Sequence, residues 1–115
     1  MKKDRATEYW DNEIKRAAEN TAKACAEYQQ AKKEEERALY RKIDADTNGL
    51  SEETKEEGRE IHRRKTINSS YKWDAYLMAS KWESITRGAA ASYKLRKSAK
   101  NANKQEPTQS KGRRQ

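Results

Sequence analysis

Two groups of side chains in this 115-residue chain have the types and spacing for molecular recognition. The first is a cationic array near the C-terminus. Arg87, Lys94, Arg96, Lys97 and Lys100 stand at helical spacing, and Lys104, Lys111, Arg113 and Arg114 follow them. Every phosphate that such a side chain neutralises releases condensed counterions, so an array of this kind holds a polyanion without reading its sequence. The plainer use of the same residues is to complement a helix dipole and keep the chain soluble. The second group is aromatic. Trp73 and Tyr76 fall on one side of a helix with Arg87 and Lys94, while Lys72 and Lys81 flank Trp73 and Trp82 in sequence. Rings beside cations stack on bases or dock on a protein partner. They serve equally as a packing surface against a neighbouring helix or a second subunit.

Residues for catalysis are sparse. His62 is the one histidine and stands before Arg63, Arg64 and Lys65, on what reads as a solvated face. A lone His and a lone Cys25 exclude the common zinc constellations, and no glycine-rich phosphate loop is present. Carboxylates are plentiful, but nearly all have basic neighbours at helical spacing, the pattern of surface ion pairs. The chain is therefore expected not to be an enzyme, and no cofactor or metal is expected. One segment, Asp44-Ala45-Asp46-Thr47-Asn48-Gly49, resembles the start of an EF-hand calcium loop, with oxygens at positions 1, 3 and 5 and glycine at the sharp turn. Position 8 is Ser51 where that loop has an apolar residue, and position 12 is Lys55 where it has a bidentate glutamate.

The elements that must position these groups are helical. Charged residues make up 40% of the chain, Gly and Pro together only five positions, and there is no Phe and no Val. Such a composition favours helix and lacks the runs that strands need. Stepping by 3.6 from Trp10 lands on or beside Ile14, Ala17, Thr21, Cys25, Tyr28, Ala31, Glu35, Leu39 and Ile43, which predicts one helix over 4–43 with a mostly small seam for another helix. Asn48-Gly49 supplies a turn, and Ser51 a cap for the next helix with Glu52 and Glu53 in its first turn. Beyond it, Asn68, Ser69 and Ser70 mark a place where that helix either continues or restarts. Over 71–100 the spacing predicts a core face of Ile67, Tyr71, Met78, Trp82, Ile85 and Ala89. The expected fold is all-α: a long helical hairpin or coiled coil over 1–100, the second helix whole or split in two, with a disordered basic tail over 101–115. The outline is similar in size and topology to the small secreted WXG100 proteins. Asn48-Gly49-Leu50 stands where that family carries W-x-G, and the chain is not assigned to it.

Charge places the function. Residues 1–50 hold eleven basic and eleven acidic residues, residues 51–66 five of each, and residues 67–115 eleven basic against three acidic, so the whole net charge of +8 lies in the last segment. A neutral body with a basic end points to an anionic partner. The leading expectation is a small accessory protein that binds DNA or RNA, or a nucleic-acid-processing complex, in the style of phages and other mobile elements. The alternative is a protein-interaction module, an inhibitor or assembly factor, docking through Trp73 and Tyr76. A basic amphipathic helix with Trp also suits an anionic membrane surface. The thin apolar stock predicts that self-association through the first helix, or a protein partner, completes the core. No stretch approaches the ~20 apolar residues of a membrane span, no signal-peptide hydrophobic region opens the chain, and Cys25 cannot pair internally, so a cytoplasmic location is expected.

Overall fold

Asp4 starts the first helix because it offers an acceptor where the backbone lacks one: its Oδ1 accepts from the Thr7 N–H at 2.7 Å. The computed structural model describes residues 4–105 and consists of α1 (Arg5–Thr47) and α2 (Glu52–Gln105). Helix α1 ends in a Schellman-type turn. The Leu50 N–H donates to the Ala45 carbonyl at 3.3 Å, and Gly49 takes the left-handed conformation, φ 65°, that this closure demands. Ser51 then caps α2, its Oγ accepting from the Thr54 N–H at 3.2 Å, with Glu52 and Glu53 in the favourable field of the first turn. The reversal is thus built from the residues expected to build it. It lays the helices antiparallel in a hairpin 92 Å long, 29 Å wide and 14 Å thick.

The seam between the helices is made of small residues at seven-residue spacing. Trp10, Ala17, Ala24, Ala31, Ala38 and Ala45 form one column of α1, and Ala17, Ala31, Ala38 and Ala45 are buried. The second column runs through Thr7, Ile14, Thr21, Tyr28, Glu35 and Lys42, all half-buried. Helix α2 answers with buried Ser69, Thr86 and Ala90, and with Gly58, where an added Cβ would lie 3.5 Å from the Lys42 Cα. A strict heptad keeps one stripe facing a partner only if the two helices wind around each other, which is the coiled-coil solution. This corrects the 3.6-residue reading of α1. That spacing drifts off the seam, so Leu39 and Ile43 stand outside it and Ala38 and Ala45 take the buried positions.

Helix α2 is unbroken. Ser69 does not restart it; its one hydroxyl proton is shared between the Thr66 carbonyl at 3.0 Å and, across the seam, Glu35 Oε2 at 3.1 Å. The helix also runs five residues past the expected boundary at residue 100, through Gln105. The rest of the expected tail, with Lys111, Arg113 and Arg114, lies outside the described residues. The expected core face of α2 is the larger correction. Ile67, Tyr71, Met78, Trp82 and Ile85 are all exposed. An alanine column gives contact only to a helix that comes close, and bulky side chains at the seam would hold α2 away. The small and polar face therefore turns inward, and the large apolar one remains outside. Among the described residues, no helix is long and apolar enough to cross a membrane.

Candidate functional site

Antiparallel pairing sets the C-terminal part of α2 beside the start of α1, and this sorts the cationic array into two sets. Lys97 donates to Asp4, the capping residue of α1, and to Thr7 Oγ1 at 3.4 Å. Lys94 lies 3.7 Å from Asp11. Arg87 donates from Nε and Nη2 to Glu83 Oε2 at 2.9 and 2.8 Å. These three cations hold the hairpin together or brace α2. Lys97 lowers the Asp4 carboxyl to about 2, with help from the Thr7 N–H, and is itself raised in return. Arg87 lowers Glu83, and Thr21 adds to this across the seam. Arg96 and Lys100, by contrast, are exposed and have no side-chain partner among the described residues. Lys104 falls in the last turn of α2.

The same register separates charge along the rod. The turn end, residues 24–79, holds eleven basic and twelve acidic residues. The open end, residues 4–23 and 80–105 of the described part, holds eleven basic and six acidic ones. At the turn end several carboxylates are answered across the seam or along one helix: Glu34 by Lys65 at 3.1 Å, Asp46 by Arg59 at 3.7 Å, and Glu60 by Arg63 and Arg64 at 2.8 and 3.0 Å. Arg63 and then Arg64 hold the Glu60 carboxyl at about 2.

The aromatic group is drawn partly into the hairpin. Trp73 packs on Tyr28 of α1 with ring centroids 4.9 Å apart, and on Tyr76 at 5.6 Å. Tyr76 is half-buried, whereas Trp73 keeps 41% of its surface exposed. Trp73 and Tyr76 therefore share a cluster, on the side of the hairpin that also carries Arg87 and Lys94. Sequence spacing placed the four on one face, but the Tyr28 contact required the register between helices.

The calcium-loop outline is not realised as a loop. Asp44 to Thr47 belong to α1, where residues two apart point about 200° away from each other. Asp44 Oδ1 is taken by the Asn48 side-chain amide at 2.6 Å, and Asp46 by Arg59. Among the described residues no three or more His, Cys, Asp or Glu side chains are grouped to hold a metal ion. His62 differs from its expected place: it sits half-buried beside the seam and lines a shallow groove with Leu39 and Glu35.

The fold and the cationic end define a two-helix, antiparallel coiled-coil hairpin with a charged tip. No family model matches the chain, and no curated protein or solved structure is similar to it.

Proposed function

We propose that this chain is a small non-enzymatic accessory protein that binds nucleic acid, or a nucleoprotein machine, through the open end of its hairpin. The observation that carries the reading is the separation of charge along the rod, together with Arg96 and Lys100, which no carboxylate of the described residues neutralises. Cations already paired cost energy to redirect, whereas unpaired ones meet phosphates without losing a partner. Lys104, Lys111, Arg113 and Arg114 follow Arg96 and Lys100 in sequence.

The test is a salt titration of binding to random duplex and single-stranded DNA. Affinity falls with salt by roughly 0.9 in log–log slope for each duplex phosphate neutralised. Replacing Arg96, Lys100, Lys104, Lys111, Arg113 and Arg114 by Gln flattens that slope and leaves helicity unchanged, because Arg96 and Lys100 hold nothing in the hairpin. Absence of binding even at low salt rejects the reading. A second reading, docking on a protein partner, is favoured by the exposed part of Trp73. Under it, Trp73→Ala abolishes capture of the partner while the variant keeps its helicity at the assay temperature. If the variant melts early instead, the Tyr28 contact is the residue's whole role.

A further inference from the structure

Helix α2 carries a second heptad stripe, turned away from α1. Tyr71, Ala75, Met78, Trp82, Ile85 and Ala89 follow one another at alternating steps of four and three residues. Tyr71 and Met78 are each 69% exposed, Trp82 63% and Ile85 49%, while Ala89 is half-buried, so the protomer leaves most of the stripe in water. The hairpin exposes 9420 Å², roughly 2,900 Å² more than a compact monomer of this mass. A standard interface takes only about 800 Å² from each partner.

We infer that this stripe is the seat of a second copy of the chain, packed antiparallel along α2 about a two-fold axis. Charge selects both the occupant and its direction. Asp74 and Lys81 flank the stripe on the same edge, one heptad apart, and neither has a partner among the described residues. Antiparallel pairing about the point midway between them sets Asp74 of each copy against Lys81 of the other, so the edge is complementary to itself, as a two-fold interface must be. The same register seats Met78 against the small Ala75 and Trp82 against Tyr71. A parallel copy would instead set the two cationic ends side by side. The expected self-association through α1 is thus moved to α2, whose outer face holds the larger apolar side chains. The inference does not depend on polyanion binding.

Sedimentation of the full chain over a range of micromolar concentrations tests it, and a concentration-dependent dimer is the expected result. Lys81→Asp places like charges together twice and raises the dimer dissociation constant roughly tenfold. Adding Asp74→Lys to the same chain exchanges the charges and restores the wild-type value. A chain that stays monomeric at every concentration overturns the inference, and so does an exchange that fails to rescue. A monomer whose Trp fluorescence responds only to anionic vesicles overturns it in favour of a membrane. These substitutions leave the open end untouched. DNA binding measured on the same variants therefore tells a failure of this inference from a failure of the polyanion reading.

Discussion

The Asp4 carboxylate accepts from the Thr7 N–H and from Lys97, so one side chain both caps α1 and ties its start to α2. Its pKa of about 2 is below the ordinary aspartate value. A carboxyl lowered on folding stabilises the native state above its unfolded pKa and loses that contribution as pH falls through the folded one. Asp4 and Glu60, both held at about 2, therefore give a hairpin that loosens progressively as pH drops from about 4.5 toward 2. Melting curves followed by circular dichroism across that window check this. Asp4→Asn keeps a capping acceptor and shows a shallower decline, whereas Asp4→Ala lowers the melting temperature at every pH. Ser69 makes a sharper case because it is buried. Ser69→Ala removes the bonds to Glu35 and to the Thr66 carbonyl and costs about 1 kcal/mol, read from chemical denaturation. It also lets the Glu35 carboxyl rise, although Lys32, the larger cause of its lowering, remains.

At the scale of elements the seam is close because it is small. Ala31 is 2% exposed, with no room for a larger side chain. Ala31→Leu is expected to force the helices apart at a cost of roughly 1–3 kcal/mol. Gly88 predicts the opposite sign. It lies inside α2, and an added Cβ there meets nothing within 4 Å. Gly88→Ala should stabilise the hairpin by about 1 kcal/mol, because the substitution gains helix propensity without a clash. Both are checked by urea denaturation of the variants. The same scale explains how much was legible in the sequence. The two helices, the Asn48-Gly49 reversal and the Ser51 cap follow from local chemistry, and local chemistry is what a sequence displays. The alanine column was also on display, in the seven-residue spacing from Trp10 to Ala45, but a 3.6-residue step follows it only as far as Ala31 and then drifts to Leu39 and Ile43. Which face of α2 turns inward was not legible. Tyr71, Met78 and Trp82 form the more apolar stripe, and hydrophobicity alone assigns them to the core. Only the demand of α1 for a close, small partner reverses the choice. Likewise the engagement of Lys94 and Lys97, which leaves Arg96 and Lys100 open, depends on an inter-helix register that no single helix encodes, whereas the pairing of Arg87 with Glu83 lies within one helix.

The whole molecule is a rod with a radius of gyration of 26.4 Å, where a compact domain of its length has about 13 Å. Its charge is as uneven as its shape, and shape and charge together constrain how copies assemble. Helix α2 is centred between Met78 and Ala79, one residue from the midpoint of Asp74 and Lys81. A second copy in the antiparallel register therefore overlaps α2 along nearly its full length. Mass doubles while the length stays near that of one hairpin, 92 Å. In small-angle X-ray scattering the cross-sectional radius rises with concentration and the maximum dimension does not. An end-to-end assembly through the cationic tips would extend the maximum dimension instead, against the repulsion of two basic ends. Side-by-side packing also sets each open end, with eleven basic and six acidic described residues, beside a nearly neutral turn end of the other copy. Both tips of the assembly then stay cationic, one hairpin length apart. A short oligonucleotide should accordingly bind two to a dimer with little interaction between sites, since a gap of this size far exceeds the Debye length of about 8 Å at physiological salt. Titration calorimetry that returned one oligonucleotide per dimer would place the two open ends together and so reject the antiparallel arrangement.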